Sequence, residues 1–300
     1  MENIIRIENC RIDSVGLPHS PQIQADVLRL DLIHPVVSGN KWFKLKEYLT
    51  EAQQLNKTTL ATFGGAFSNH IVATAAAAQL HGLKSMGIIR GEKPGFLSHT
   101  LQQASALGMQ LFFVSREAYR KKMLPEECLQ VCDSSKLYVI NEGGYGQRGM
   151  RGAAAILKSF PTATYSHIAA ATGTGTMLAG LVAASAPHQS VVGVSVLKNN
   201  FSVEHEIKAL LPEEDSRAFQ LHFGYHFGGY AKHTPELFRF MNAWYAQTGI
   251  PSDFVYTGKL FFAVSDLASR SYFPQGSKIL IIHSGGLQGN LSLAKGTLIF

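Results

Sequence analysis

A lysine at the predicted start of a helix is the first residue of this chain that could act as a nucleophile. Lys41 follows the turn-forming run Ser38-Gly39-Asn40, and an amphipathic pattern begins directly after it. The positive end of a helix dipole lowers the pKa of an amine, and a neutral amine is the nucleophilic form. On spacing alone, a solvated lysine in a first helical turn is the better interpretation.

A second segment, Thr62 to Leu80, is a strand, a glycine turn and a helix. Gly64 and Gly65 form the turn, and Ser68 and Asn69 stand where the helix begins. Both residues are favoured N-caps, and free amides at a helix start also bind anions such as a carboxylate. The pattern leaves simple capping and anion binding equally open.

A third segment, His167 to Leu181, places a strand before Gly173-Thr174-Gly175-Thr176 and a helix after it. Backbone amides and two hydroxyls at a helix start can bind a phosphate. The segment lacks the GK[ST] of a Walker loop. A purely structural turn is the less favoured interpretation, because the residues are both small and hydroxylated.

A fourth segment, Lys278 to Asn290, is a buried strand that leads into Ser284-Gly285-Gly286. The paired glycines would let a flat ligand approach the backbone closely. Ser284 would be a neutral hydrogen-bonding partner for that ligand.

Other motifs fail their tests. Gly144-x-Gly146-x-x-Gly149 matches the dinucleotide fingerprint, but the acidic residue expected about 20 positions later is missing. This absence counts against the interpretation of the chain as a nicotinamide dehydrogenase. His222 and His226 lie four residues apart without the HExxH pattern, so no metal site is predicted. The commonest hydrolase signal, GxSxG, does not occur.

Strand-like runs that alternate with alanine-rich helical runs must position these loops. The predicted strands cover 58–63, 84–90, 110–115, 136–141, 167–172, 190–196 and 278–284, and predicted helices include 69–80, 99–107 and 152–160. Continuously apolar strands between helices indicate parallel sheets buried on both faces. The glycine-rich stretch 141–152 suggests a crossing between two lobes, with a ligand at the carboxyl ends of the strands.

Composition excludes several classes of protein. The chain has 300 residues, of which 46% are hydrophobic and 16% charged, against roughly 25% charged in an average globular protein. Such a chain is folded, not disordered. Three cysteines without a CxxC pair indicate neither a disulfide framework nor a zinc knuckle.

The net charge of +6 is scattered along the chain, and the densest basic cluster, 116–122, holds four cations. An anionic small ligand is therefore a better interpretation than nucleic acid. The sequence contains no membrane-length apolar run, and its charged N-terminus lacks a signal-peptide core. We therefore expect a cytoplasmic protein that binds neither membrane nor nucleic acid.

An amine nucleophile, a phosphate site and a platform for a flat ring together are typical of pyridoxal phosphate enzymes. From about Leu30 onward, the chain resembles the family of 1-aminocyclopropane-1-carboxylate deaminase and D-cysteine desulfhydrase, within the tryptophan-synthase-β-like (fold type II) enzymes. The motifs are GNK (39–41), GGxxSNH (64–70), TGTGT (172–176), GGY (228–230), VYTGK (255–259) and HSGG (283–286).

The resemblance implies an α/β fold of two lobes, each an open and mostly parallel sheet flanked by helices, with the cofactor in the cleft between them. The larger, cofactor-binding domain would comprise residues 1–48 and 153–300, and the smaller domain would be 49–152. A homodimer is also implied.

The resemblance further assigns roles to single residues. Lys41 would bind pyridoxal 5'-phosphate as a Schiff base, and Asn69 would bind the ring hydroxyl of the cofactor. Ser68, with Asn69 and His70, would bind the substrate carboxylate. Four further residues, Gly173, Thr174, Gly175 and Thr176, would bind the phosphate. Tyr230 and Tyr256 would lie on the substrate side of the ring, although spacing alone does not distinguish either tyrosine from ordinary packing.

Two positions discriminate within the family. The resemblance implies that members that open the cyclopropane ring have a glutamate directly after the tyrosine of the VY motif, where this chain has Thr257. Those members also have a leucine directly after the histidine of the HSGG motif, where this chain has Ser284. A hydroxyl at the pyridine nitrogen leaves it largely neutral, which suffices when a thiolate departs. We therefore expect α,β-elimination of a small, D-cysteine-like amino acid to pyruvate, ammonia and sulfide. The alternatives are 1-aminocyclopropane-1-carboxylate deamination and a non-catalytic pyridoxal phosphate binder.

Overall fold

The computed structural model describes residues 5–18, 20–212 and 217–300, which form two lobes around two separate β-sheets. The strands are β1 Ile12–Val15, β2 Gln24–Arg29, β3 Thr59–Gly64, β4 Lys84–Arg90, β5 Met109–Val114, β6 Leu137–Ile140, β7 His167–Thr172, β8 Ser190–Ser195, β9 Phe219–His222 and β10 Lys278–His283. The α-helices are α1 Asn40–Gln54, α2 Asn69–Leu80, α3 His99–Ala106, α4 Arg116–Arg120, α5 Glu126–Gln130, α6 Gln147–Ser159, α7 Thr176–Ala184, α8 Val203–Lys208, α9 Pro235–Thr248 and α10 Thr257–Ser269. Short 3-10 turns cover Ile7–Asn9, Leu30–Leu32, Ser134–Lys136, Glu142–Gly144 and Leu287–Ser292.

The larger sheet has six strands in the order β1-β2-β10-β7-β8-β9, and only the β1–β2 pair is antiparallel. The smaller sheet has four parallel strands in the order β5-β4-β3-β6. The predicted α/β class with two mostly parallel sheets is therefore confirmed. All four strands of the smaller sheet lie within 49–152, and the exact domain boundaries stay a prediction.

Each predicted strand is present, and three further strands were not predicted. β1 and β9 are four-residue strands at the two edges of the larger sheet, where part of the surface stays open to water. β2, with the sequence QADVLR, places polar residues among apolar ones. Short edge strands of mixed polarity lack the continuous apolar run that identifies buried parallel strands.

The larger sheet is covered by helices on both faces. Leu28, Leu280 and Ile282 pack with α1, α6 and α7 on one face, and their neighbours Val27 and Ile281 pack with α9 and α10 on the other. Successive side chains of a strand point to opposite faces, so a strand covered on both sides must be apolar throughout.

Two glycines let the helices under the site pack backbone against backbone. A Cβ added at Gly152 of α6 would lie 2.1 Å from the carbonyl oxygen of Phe43 in α1, and one at Gly180 of α7 would lie 2.5 Å from that of Met150 in α6. The helix predicted over 152–160 in fact begins at Gln147, inside the glycine-rich stretch. Glycine disfavours helix by only about 1 kcal/mol, which close packing offsets.

Within the described ranges, no helix is long and apolar enough to cross a membrane. The same residues contain no cluster of three or more side chains suited to holding a metal ion.

Candidate active site

A cavity of about 270 Å³ lies between the two sheets, at the carboxyl ends of β3, β4, β7 and β10. We call it the inner cavity. Ligands of open α/β sheets bind at this edge. Most of the predicted site residues line it, namely Lys41, Ser68, Asn69, His70, Gly173, Thr174, Gly175, Tyr230, Tyr256 and Ser284.

Lys41 is the second residue of α1, and its amine belongs to the inner cavity. Its Nζ donates a hydrogen bond of 2.8 Å to Oδ1 of Asn40 and lies 5.9 Å from the ring centre of Tyr256. Burial lowers the pKa of Lys41 to about 8, against the opposing effect of the Asp253 carboxylate. A lowered pKa was also expected from the position of Lys41 at a helix start, but here burial is the main cause. A substantial fraction of the amine is therefore neutral near pH 8.

Two interlocked loops hold Lys41 in place. Gly39 has φ +63°, and a Cβ on it would lie 1.9 Å from the carbonyl oxygen of Ser284. Gly285 has φ +76°, and a Cβ on it would lie 2.4 Å from Oγ of Ser38. The backbone N–H of Asn40 donates to the carbonyl of Ser284 at 3.2 Å. Glycine is therefore required in both the GNK and the HSGG motif for the loops to meet.

The segment predicted to bind phosphate connects β7 to α7. Gly175 takes a left-handed conformation at the N-cap of α7, and Thr174 and Thr176 place their hydroxyl oxygens 3.2 Å apart. The first amides of a helix have no intrahelical acceptor. Thr176 is fully buried behind the loop, whereas Thr174 lines the inner cavity. We call residues 173–176 the phosphate cradle.

Lys44 is a site residue that the motifs did not identify. It stands three residues after Lys41 in α1, lines the inner cavity, and donates a hydrogen bond of 2.5 Å to the carbonyl of Gly143. Burial, together with the charge of Lys41, holds the pKa of Lys44 well below its usual value. An anion bound beside it would favour its charged form. The i,i+3 spacing from Lys41 was the available signal.

The start of α2 is capped by Ser68, and it also borders the inner cavity. Ser68 caps the helix, since its Oγ accepts from the N–H of Ile71 at 3.4 Å, and it also lines the inner cavity. Asn69 is the first helical residue, and its amide lies so near Gly286 that a Cβ there would be 3.0 Å from Nδ2.

His70 is held in one orientation by Thr62. The hydroxyl of Thr62 donates to the carbonyl of Ile140 at 2.8 Å, so it accepts from Nε2 of His70 at 2.9 Å. Burial and the charges of Lys44 and Lys41 keep the pKa of His70 well below its usual value. Nδ1 is then a buried acceptor without a partner among the described residues.

Tyr230 and Tyr256 face each other edge-on across the inner cavity, with ring centres 6.3 Å apart. The hydroxyl of Tyr230 lies 3.5 Å from the carbonyl of Phe67, in the loop before Ser68. Burial raises the pKa of Tyr256 well above its usual value, and it raises the pKa of Tyr230 as well. Both phenols are therefore protonated at neutral pH.

Thr257, one of the two positions that discriminate within the family, is buried and does not line the inner cavity. Its hydroxyl donates to Oδ1 of Asp253 at 2.8 Å and is fully buried, and Thr257 is absent from the lining of the inner cavity. The Asp253 carboxylate also accepts from the amides of Val255, Tyr256 and Thr257 at 2.9 Å each, which holds the start of α10. Of the two discriminating residues, only Ser284 lines the inner cavity.

The inner cavity fits pyridoxal phosphate on several independent observations. It combines a buried amine of lowered pKa, a second buried lysine, and a helix start with hydroxyls for the phosphate. A Cβ at Gly175 would lie 2.7 Å from Cγ1 of Ile207, so the cradle depends on glycine. Arg90 and Glu142 also line this cavity and were not predicted.

Comparison with known proteins agrees with this geometry. Residues 18–285 match the family described as "Pyridoxal-phosphate dependent enzyme". A Thermotoga maritima protein named "Putative 1-aminocyclopropane-1-carboxylate deaminase" is 33% identical over 88% of this chain and 88% of its own length. The mitochondrial bifunctional D-cysteine desulfhydrase/1-aminocyclopropane-1-carboxylate deaminase of Arabidopsis thaliana is 28% identical over 91% of this chain and 74% of its own.

Among solved structures, a homologue of 1-aminocyclopropane-1-carboxylate deaminase superposes with a TM-score of 0.78 at 27% identity, covering 94% of this chain and 90% of its own. The fold and the site thus define a pyridoxal-phosphate-dependent enzyme of the tryptophan-synthase-β-like class. Within that class, the chain belongs to the family of 1-aminocyclopropane-1-carboxylate deaminase and D-cysteine desulfhydrase.

Proposed function

We propose that this enzyme catalyses α,β-elimination of a small, D-cysteine-like amino acid, which yields pyruvate, ammonia and sulfide. The observation that carries the proposal is the neutral hydroxyl of Ser284 in the cavity that holds the Lys41 amine. No glutamate follows Tyr256, and the Asp253 carboxylate is occupied by the start of α10.

The residues of the inner cavity divide between cofactor and substrate. The phosphate cradle and Lys44 would hold the phosphate, Asn69 the ring hydroxyl, and Ser284 the pyridine nitrogen. Ser68, His70 and the amides at the start of α2 would hold the substrate carboxylate. When bound, pyridoxal phosphate supplies an electron sink for the pair left at Cα.

Proton transfer then falls to Lys41 and Tyr256. A lysine with a pKa of about 8 is a competent base near neutral pH, so Lys41 would remove the Cα proton. Tyr256 stays protonated because its pKa is raised, so it would donate a proton to the departing group. Tyr230 would stand on the substrate side and cover the reacting atoms.

Two variants and one substrate panel test the proposal. The purified enzyme should absorb in the visible region, and Lys41→Ala should lose that band, whereas exposed Lys278→Ala should keep it. Incubation with D-cysteine, L-cysteine, D-serine and 1-aminocyclopropane-1-carboxylate should release pyruvate fastest from D-cysteine. A visible band with no 2-oxo acid from any of them would support a non-catalytic binder.

A second activity is favoured by the relatives. The Thermotoga protein carries the name of a cyclopropane deaminase, and the Arabidopsis protein carries both names. Release of 2-oxobutyrate from 1-aminocyclopropane-1-carboxylate at a rate comparable with pyruvate release from D-cysteine would establish it here and overturn the argument from Ser284.

The family resemblance also supports a homodimer. Sedimentation equilibrium of the purified enzyme should give twice the chain mass of 32.7 kDa. A single species at 32.7 kDa would contradict the dimer.

A further inference from the structure

A second, wider cavity adjoins the inner cavity on the side of the smaller lobe. Its volume is about 810 Å³, and it shares Gly65, Arg90, Glu142 and Tyr230 with the inner cavity. We call it the outer vestibule. A ligand that fills the inner cavity can extend into it past these four residues.

The outer vestibule is strongly cationic. Arg90, Arg116, Arg120 and Lys122 line it, and Glu142 is its one carboxylate. That carboxylate is already paired, because Nζ of Lys122 lies 2.5 Å from Oε2 of Glu142. Among the residues that the structure describes, none forms an ion pair with any of the three arginines. The vestibule therefore carries uncompensated positive charge around a concave space.

Arg90 stands at the boundary between the two cavities. It is the last residue of β4, and its guanidinium carbon lies 5.7 Å from the ring centre of Tyr119. A Cβ on Gly65, three residues before Ser68, would be 3.6 Å from Nη2 of Arg90. Lys122 lies over the same tyrosine ring at 3.6 Å. The ring of Tyr119 thus holds two cations at one side of the vestibule.

The anionic groups of the proposed reaction do not account for these cations. The phosphate is assigned to the phosphate cradle and Lys44, and the substrate carboxylate to the start of α2. Arg116, Arg120 and Lys122 line only the outer vestibule. These three cations could instead bind a third negative charge, at the far end of a substrate.

The geometry points to an anion-recognition site in the outer vestibule that binds a negatively charged β-substituent of the amino acid substrate. This inference rests on the proposed elimination and extends its substrate class beyond D-cysteine to β-substituted alanines with a carboxylate, sulfate or phosphate on the departing group. Of the three arginines, Arg90 is the one that lines both cavities, and Arg116 and Arg120 complete the site.

The chemistry balances without an oxidant or reductant. The Cα–H bond breaks, its proton would pass to Lys41, and its electron pair forms the Cα–Cβ double bond. The Cβ–O bond breaks, and the anionic group departs with that bonding pair. The resulting enamine takes up one water and releases ammonia, which leaves pyruvate.

The test compares substrates that differ in the charge of the leaving group. O-Phosphoserine and serine O-sulfate are the anionic probes, O-acetylserine is the neutral one, and each is supplied as both enantiomers to the holoenzyme. We expect kcat/KM to be higher for the anionic probes than for the neutral one. Since a hydrogen bond to a charged group contributes about 1.5–3 kcal/mol, Arg90→Gln should lower that ratio roughly 10- to 100-fold. The control Lys84→Gln, an exposed cation at the opposite end of β4, should leave the ratio unchanged.

Two outcomes would overturn the inference. One is a preference of the unmodified enzyme for O-acetylserine, and the other is an equal loss with all probes in Arg90→Gln, which would indicate steering or structural damage. Calorimetric binding of O-phosphoserine and serine separates this inference from the proposed reaction. If neither D-cysteine nor any of these probes yields pyruvate, the proposed elimination fails. Tighter binding of O-phosphoserine than of serine, lost in Arg90→Gln, would still support the anion-recognition site. Equal binding of O-phosphoserine and serine would refute it.

Discussion

The side-chain nitrogen of Lys259 lies 2.8 Å from the carbonyl oxygen of Gly229, the residue before Tyr230. The same nitrogen donates a second hydrogen bond of 2.8 Å to the carbonyl of His226, and the side chain is completely buried. Lys259 is the third residue of α10, and Tyr256 is the N-cap of the same helix. One buried lysine therefore fixes the loop of Tyr230 relative to the helix that begins at Tyr256.

Replacing Lys259 should separate cofactor binding from turnover. Lys259→Met removes both hydrogen bonds to the loop while it fills nearly the same space. The edge-on arrangement of Tyr230 and Tyr256 should therefore be lost. Because misplacement by about 1 Å can cost roughly 100-fold in rate, we expect kcat to fall between 10- and 100-fold. The visible cofactor band should persist.

The control for Lys259 is Arg270→Met, at the exposed end of the same helix, which should retain full kcat. Loss of the cofactor band in parallel with kcat would mean that Lys259 only supports the fold. An unchanged kcat would show that the loop needs no such tether.

Two glycines with nearly equal positive φ angles test the interlocked loops. Gly39 has φ +63° and Gly82 has φ +66°, but a Cβ would meet the Ser284 carbonyl at Gly39 and nothing within 4 Å at Gly82. Gly82→Ala should therefore cost only the left-handed penalty of about 1–2 kcal/mol. Gly39→Ala should cost more and displace Lys41, which is measured as a loss of cofactor absorbance in protein that is still folded by circular dichroism. Equal effects on both measurements would refute the steric argument.

The sequence identified residues of the inner cavity where one short segment supplies them. The TGTGT loop and the Ser68–Asn69 helix start are contiguous, so local spacing was enough to mark them as candidate anion sites. The interlock of Gly39 with Gly285 joins segments about 246 positions apart, and no local pattern contains it. The hydrogen-bonding partner of the Thr257 hydroxyl could not be predicted for the same reason, because it depends on how Asp253 folds back onto α10.

The N-terminal residues carried no recognisable motif, yet they support the loop of Lys41. Arg29 and Asp31 form a buried, bidentate pair with distances of 2.8 and 2.7 Å, and Oγ of Ser38 donates to the Asp31 carbonyl. Arg29 also reaches Asp13 at 3.1 Å. The contact with Asp13 depends on the pairing of β1 with β2, so no local sequence pattern contains it.

Removal of Arg29 should destabilise the enzyme strongly. Arg29→Ala leaves the Asp31 carboxylate buried without its partner, which typically costs about 3–5 kcal/mol. The control is Arg11→Ala, whose arginine pairs with the same Asp13 but has 65% of its side chain exposed, so its loss should cost less than about 1 kcal/mol. Urea unfolding monitored by fluorescence measures both. Similar losses in the two variants would contradict the buried pairing.

The pKa of Lys41 predicts how covalent uptake of the cofactor depends on pH. Only the neutral amine attacks an aldehyde, so in cofactor-free enzyme the rate should rise about tenfold per pH unit below the pKa and level off above it. With the pKa lowered to about 8, the plateau begins near pH 8. An ordinary lysine, with a pKa of about 10.4, would still gain rate between pH 9 and 10.

Stopped-flow absorbance with pyridoxal, which lacks a titrating phosphate, measures this profile, and Lys41→Ala should show no uptake. Asp253→Asn provides the matched variant, because the Asp253 carboxylate raises the pKa of Lys41. Its removal should move the midpoint of the profile below pH 8 while the plateau rate stays similar. A rate that climbs without a plateau through pH 10, or a midpoint that moves upward in Asp253→Asn, would show that burial does not control the reactivity of Lys41.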